Sequence, residues 1–400
     1  MKTMRKIVFM IMLCLSQLFI QCSSDDNKTF EEKTFTEQEI NEITILTNFL
    51  STDIGIDVNH IAYDLDLGGF IIDGDVLMPL EEARDRYAYS NSKITTKTNQ
   101  RRSEYKMTPE ISESIKLFIT PEVPSDWKIA INQAINNWNT INSSIHITIV
   151  DALSLSNIKI DAWNGGSAKA IAYASMPYYS GNPGNSLSIN TYYNYLKAST
   201  KVNVMIHELG HTFGLNHTNT TDGTLIPCTP ISDMNSEMHS IAEEWINGFT
   251  YYDNVAISTL YPVAVGTKKL YRYKKDNFYF YSTNACEITP GKDGYVLDGD
   301  CGYIYTSQIP GTIPLYRHVN DTSDKGHGLY TSNASSKGVI IGYLYNYQAP
   351  GTTALYDFSY HYPTLSGVID FSGSGIRYTT GFVIHKSLRN KGIYNDGFIF

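Results

Sequence analysis

Three histidines, a glutamate and a glycine stand at fixed intervals in His207-Glu208-Leu209-Gly210-His211-Thr212-Phe213-Gly214-Leu215-Asn216-His217, which reads H-E-x-x-H-x-x-G-x-x-H. On a helix, residues four apart lie on one face, one turn apart. His207 and His211 therefore project together and can share one metal ion. Glu208 follows His207 directly, close enough to hold a water at that metal without being a ligand. Gly214 enters left-handed backbone conformations freely, so it can end the helix and swing the chain round. That turn brings His217 back as a third ligand. Three nitrogen ligands and an open fourth position mark a catalytic Zn2+ site rather than a structural one. Zinc bound this way lowers the pKa of its water to about 7, and Glu208 is the candidate general base. The apolar run Val202-Asn203-Val204-Met205-Ile206 anchors the helix ahead of the ligands.

These residues resemble the metzincin family of zinc endopeptidases. The resemblance implies a protein or peptide substrate and a methionine-bearing turn below the metal. Ser236-Glu237-Met238-His239 looks like that turn, with Met238 as its methionine and Met234 as the rival. In several metzincins a tyrosine follows the turn; Ser240 takes that place here, so no tyrosine role is carried over. Upstream, Asp73-Gly74-Asp75-Val76, preceded by Phe70, resembles the glycine-aspartate switch by which astacin-like metzincins block their metal. In that pattern the aspartate after the glycine is the ligand, which is Asp75. Gly74 would let the backbone approach the metal closely. The aromatic residue sits farther upstream than in the family. Arg101-Arg102 offers a trypsin-like protease a place to release such a pro-region.

The elements that must position the site can be read from patterning. Glu37 to Leu50 is a helix candidate, and Ser90 to Glu104 is polar and without hydrophobic period, as a linker is. Ile115 to Ile119 reads as a strand. Pro124-Ser125-Asp126 opens a helix whose apolar residues recur as Trp127, Ile131, Ala134, Ile135 and Trp138. Ile145 to Val150 and Ile158 to Trp163 are strands, and Ala170 to Ala174 and Ser186 to Ile189 complete a small mixed sheet. The segment Ala170 to Ala174 is expected at the sheet edge, lining the cleft, where a peptide can add as an extra strand. This order matches the upper half of a metzincin domain, and Tyr252 to Pro262 resembles its closing helix. Beyond Pro262 the chain is tyrosine-rich and repeats: Leu270-Tyr271-Arg272-Tyr273 recurs as Leu315-Tyr316-Arg317-His318 and more loosely as Leu355-Tyr356-Asp357-Phe358. Three units spaced by about 40 to 45 residues suggest a closed all-β body with pseudo-threefold symmetry, in β-trefoil form. The expected fold is thus an α+β zincin/metzincin domain (107–262) between a tether and pro-region (22–106) and an all-β domain (263–400).

The start of the chain has a basic n-region, Met1 to Lys6, and an apolar h-region, Ile7 to Ile20, too short for a convincing spanning helix. Cys22 and Ser23-Ser24-Asp25-Asp26 follow, which looks like a lipoprotein signal of Bacteroidetes-type bacteria. That reading makes residues 1–21 a signal peptide and Cys22 the lipid anchor, with export to the outer membrane and display at the cell surface. A formal net charge of −9 without a long basic run argues against nucleic acid as partner. Five cysteines include Cys14 and Cys22; of the rest, Cys286 and Cys301 flank a short loop, and export favours a disulfide between them. Cys228 is then a small buried hydrophobe or a thiol in the wall of the site. Repeated tyrosines in 263–400 could stack on sugar faces, making a glycan a second partner. The competing functional class is a glycan-binding or adhesive surface lipoprotein with a vestigial peptidase domain.

Overall fold

The computed structural model describes residues 36–55, 57–90, 101–219, 223–230, 233–240, 248–275, 278–288, 294–319, 328–331, 338–359 and 376–384. The stretch expected to be a signal peptide, 1–21, and the expected anchor Cys22 lie outside the described residues. Among the described residues no helix is long and apolar enough to cross a membrane. The chain divides into two compact units, 1–42 and 43–400, and everything below on the site concerns the second.

The polar first part is more ordered than its composition suggests. After α1 (Glu37–Leu50) come β1 (Ile61–Asp64), β2 (Gly69–Ile72), β3 (Val76–Pro79) and α2 (Leu80–Ser90). The three strands form an antiparallel meander in which Ile72 faces Val76 across the turn Asp73-Gly74-Asp75. Asp73 (φ +52°) and Gly74 (φ +100°) both take left-handed backbone; Asp-Gly is one of the pairs that favour this conformation in hairpin turns. Alternation along the strands buries Phe70, Ile72, Val76 and Met78 on one face, where they meet Leu46, Leu50 and Met176.

Next follow β4 (Arg101–Arg102), α3 (Pro109–Ser112), β5 (Ile115–Ile119), α4 (Ser125–Thr140), β6 (Ile147–Ile149), β7 (Ile158–Trp163), β8 (Ala172–Ala174), β9 (Ser186–Asn190), α5 (Ala198–Thr212), β10 (Thr224–Leu225) and α6 (Tyr251–Leu260). The expected order of strand, helix, strands and zinc-motif helix is the order found, in an α+β arrangement. One eight-stranded sheet runs β1-β2-β3-β8-β9-β7-β5-β6. Strands β5, β6, β7 and β9 are parallel, and β8 is antiparallel to β9. Helix α4 buries Trp127, Ala130, Ile131, Ala134, Ile135 and Trp138, a stripe at helical spacing. Trp138 reaches across to α5: its Nε1–H donates to the Ile206 carbonyl (3.1 Å) and its ring meets Phe213 edge-on.

Two expectations change here. Strand β8 is not a free edge, because β3 pairs with it in parallel at Val76↔Ala174. The polar stretch expected to be a linker ends in structure: 91–100 lie outside the described residues, but Arg101–Arg102 pair with Thr224–Leu225. Composition misses this because β4 is held by backbone ladder bonds, which need no apolar side chains.

The C-terminal part is β-rich: β11 (Thr267–Lys275), β12 (Phe278–Ser282), β13 (Val296–Tyr305), β14 (Thr312–Val319), β15 (Gly328–Thr331), β16 (Val339–Tyr345), β17 (Thr352–Ser359) and β18 (Ile376–Ile384). Antiparallel pairs β11/β13, β14/β16 and β17/β18 repeat the same plan, with β12 and β15 added to the first two. Their last strands meet pairwise at Tyr305↔Tyr343, Tyr303↔Ile384 and Tyr345↔Phe382. Tyr271, Tyr273, Tyr281 and Tyr303 are buried, so these four are not available to stack on a sugar. Instead Tyr251 and Tyr273 hydroxyls bond at 2.8 Å, Ser258 and Tyr271 at 3.1 Å, and Tyr303 donates to the Asn142 carbonyl at 2.6 Å.

The disulfide expected between Cys286 and Cys301 is not formed. Cys286 is bonded to Cys228, with Cα atoms 4.7 Å apart and 58 residues of separation. Cys301 points inward from β13 into a cluster with Leu270, Ile304, Leu315 and Leu344, whereas Cys286 sits after β12 beside the loop carrying Cys228. Proximity in sequence misled because the strand turns one sulfur into the core. Cys228 is accordingly neither a lone thiol nor a simple hydrophobe. Closing a loop of this length is worth roughly 4 kcal/mol on the chain-entropy account. Cys286→Ser is expected to destabilise the protein by about 2–4 kcal/mol in denaturant unfolding, and peptide mapping without reductant should recover Cys228 linked to Cys286.

Candidate metal centre

Helix α5 delivers His207 and His211 from one face, and Gly214 (φ +91°) turns the chain so that His217 joins them. The three Nε2 atoms lie 3.0, 3.0 and 3.2 Å from one another. Each opposite nitrogen has a fixed acceptor: His207 Nδ1 the Glu237 carbonyl (2.8 Å), His211 Nδ1 the Leu215 carbonyl (2.8 Å), and His217 Nδ1 the Asp73 carboxylate (2.9 Å). With Nδ1–H donating outward, every Nε2 presents a lone pair to the common point. Three lone pairs that close repel unless a cation lies between them, so this donor set fits a metal. Burial pushes His211 down to about 3, which keeps it neutral as a ligand must be. Burial also opposes charge on His217, yet the Asp75 and Asp73 carboxylates lift it to about 10. The two carboxylates thus favour a cation at this point, a proton on His217 or a metal ion in its place.

Asp75 is the fourth member. Its Oδ2 lies 3.1 Å from His217 Nε2 and 3.5 Å from His207 Nε2, and its Oδ1 lies 3.6 Å from His211 Nε2. Burial would raise this carboxyl, but the three imidazoles hold it well below the usual range. These four residues form a group able to hold a metal. Gly74 has a different task from the one expected: a Cβ there would meet nothing within 4 Å. The turn needs its φ of +100°, not a close approach.

Below the histidines, Met238 is 3% exposed and Met234 74%. A Cβ on Gly210 would fall 2.3 Å from Met238 Sδ, so the helix is notched to seat the methionine. The turn that carries Met238 hangs from α6. Asp253 accepts from Ser236 Oγ (2.5 Å) and the Glu237 amide (3.2 Å), while Thr250 and Asp253 close a capping box. Since the Glu237 carbonyl orients His207, Asp253 acts on the site at one remove. Sequence reading missed Asp253 and the Asp73 contact to His217; the Thr250-x-x-Asp253 box was the available signal.

Residues 71–245 match the peptidase M57 family, described as dual-action HEIGH metallo-peptidases. Over these residues the chain is similar to that family, and it is a zinc metalloprotease. Residues 234–355 match a domain described only as of unknown function (DUF5648). Among solved structures, myroilysin is similar with a TM-score of 0.31 and 13% identity, over 44% of this chain and 93% of that one. High choriolytic enzyme 1, a hatching enzyme zinc-protease from Oryzias latipes (medaka fish), is similar with a TM-score of 0.28 and 15% identity, over 39% and 92%. No curated protein matches the chain.

The metalloprotease has a cavity of about 280 Å³ beside the histidines, lined among others by Asp75, Ala172, Asn203, Val204, Glu208 and Ser240. Glu208 Oε2 is buried without a hydrogen-bond partner among the described residues. Burial, and then the Asp75 charge, push its carboxyl well above the ordinary range. The first part of the chain is fastened to the peptidase at further points: the Asp75 carbonyl accepts from Ala174 N (3.1 Å), Lys169 pairs with Asp64, and Arg86 donates to the Pro177 carbonyl (2.8 Å).

Two variants test this geometry. His217→Ala is expected to lose stoichiometric zinc, read by elemental analysis. Gly210→Ala must push Met238 aside and should cost about 1–3 kcal/mol in thermal unfolding, whereas Met234→Ala should stay within about 0.5 kcal/mol.

Proposed function

We propose that this protein is an exported zinc endopeptidase, made as a precursor that blocks itself with Asp75. The observation that carries the reading is the reach of one carboxylate to all three Nε2 atoms from the turn between β2 and β3. Beyond that turn, β3 covers the strand to which a peptide would add. One short segment therefore occupies both the metal and the backbone of the cleft. When it leaves, β8 presents free N–H and C=O groups, and a substrate chain pairs with them largely independently of its side chains.

His207, His211 and His217 would hold the zinc, which would supply Lewis acidity toward water and the scissile carbonyl. Glu208 is the general base: its unpartnered Oε2 accepts the proton of the attacking water and delivers it to the leaving amine. Asp253 and the Met238 turn hold His207 in place throughout.

The wider reading includes the lipoprotein signal with Cys22 as anchor, supported by the basic and apolar stretches before it. It also includes the domain division after Lys106 and after Pro262 and a β-trefoil form for the C-terminal body, which the threefold recurrence of strand pairs supports. Cys22→Ser should shift the protein from the membrane to the soluble fraction; unchanged fractionation would remove the anchor.

The central test uses one quenched peptide and three proteins: the intact chain, the chain freed of its blocking segment, and intact Asp75→Ala. The freed chain should be the most active, and Asp75→Ala should exceed the intact chain by at least about tenfold. Glu208→Ala in the freed chain should lose a factor of about 10²–10⁴. Equal activity of the intact and freed chains, with no effect of Asp75→Ala, would refute the block.

A further inference from the structure

The dibasic pair Arg101-Arg102 invites cleavage after Arg102, and the structure assigns it another role. We propose that residues Arg101–Met107 are a strap that positions the third-ligand turn and stays with the mature peptidase, so that the blocking segment is cut away on the N-terminal side of Arg101. The place of the cut rests on Asp75 being a block; the strap's hold on the turn does not.

The strap lies along Phe213-Gly214-Leu215, between the second and third histidines. Arg102 bridges Leu215, and the Ser103 amide donates to the Gly214 carbonyl at 2.8 Å. A Cβ on Gly214 would fall 3.1 Å from the Tyr105 carbonyl oxygen, so the two backbones run in close contact. Farther on, the Met107 amide donates to the Tyr261 hydroxyl (3.3 Å), which itself donates to the Phe213 carbonyl (2.5 Å). The strap thus holds Gly214 and Leu215 directly and Phe213 through Tyr261, to which Met107 bonds. The consequence reaches the metal, because the Leu215 carbonyl orients His211 and the chain leaving Leu215 places His217.

The same contacts make Arg101-Arg102 a poor protease site. A protease binds its substrate extended, with backbone groups free to pair in the cleft. Here those groups are engaged by Thr224–Leu225. Ser103, which would follow the cut, is 2% exposed. The Arg102 guanidinium turns back onto the Ser103 and Glu104 carbonyls, both at 2.8 Å. Cleavage after Arg102 would also break the strand that the turn leans on.

Limited trypsinolysis of the intact chain, followed by N-terminal sequencing and zinc analysis of the large fragment, tests the proposal. The expected fragment begins before Arg101, after Lys93 or Lys97, keeps its zinc and retains the bond after Arg102. A fragment beginning at Ser103 with full zinc and full activity would overturn it. A second arm uses the intact chain with Ser103→Pro, which removes the amide donor, and Ser103→Ala, which keeps it. Zinc release to a chelator should be at least tenfold faster for Ser103→Pro and unchanged for Ser103→Ala. A wild-type release rate in Ser103→Pro would overturn the positioning role; if that variant does not fold, the fragment's N-terminus decides. Should the intact chain prove as active as the trypsin fragment, the blocking role of Asp75 fails, while the zinc-release result still judges the strap.

Discussion

Three imidazole lone pairs meeting about 3 Å apart in a buried site repel one another, and much of the surrounding structure serves to hold them there. Each ring is fixed through its other nitrogen, and each fixing group comes from a different part of the chain. His207 depends on the Met238 turn, His211 on the turn after α5, and His217 on the hairpin that also brings Asp75. A hydrogen bond to the far nitrogen of a histidine sets which nitrogen faces the metal. The arrangement stores an electrostatic demand that zinc meets, with Asp75 adding negative charge on the fourth side.

Helix α6 shows how far this support extends. On one face Asp253 holds the Met238 turn. On another, Tyr251 and Ser258 bond to Tyr273 and Tyr271 of β11. The Cys228–Cys286 bond adds a covalent link from the loop between His217 and Met238 to the C-terminal body. The tyrosine-rich part is therefore built into the back of the peptidase, and its buried tyrosines serve packing there.

What could be read from sequence follows physical range. The zinc helix was legible because His207 and His211 obey a local period, and Gly214 marks its own turn. Trp127 to Trp138 were legible for the same reason. Asp75 was legible only through a family likeness, since nothing local shows which strand the hairpin joins. The pairing of β3 with β8, the strap against Gly214 and the carboxylate of Asp253 under the Met238 turn are contacts over long sequence distances, made largely by backbone groups that any side chain would allow. The cysteine pairing failed for a related reason: β13 turns Cys301 into the core, and Cys286 finds its partner in Cys228, 58 residues away.

The most direct measurement is anomalous scattering at the zinc edge from crystals of the intact chain. The account predicts one zinc bound by Nε2 of His207, His211 and His217, with an Asp75 carboxylate oxygen as the fourth ligand. Zinc on the three histidines with water in the fourth position and Asp75 turned away would contradict it, as would zinc bound elsewhere.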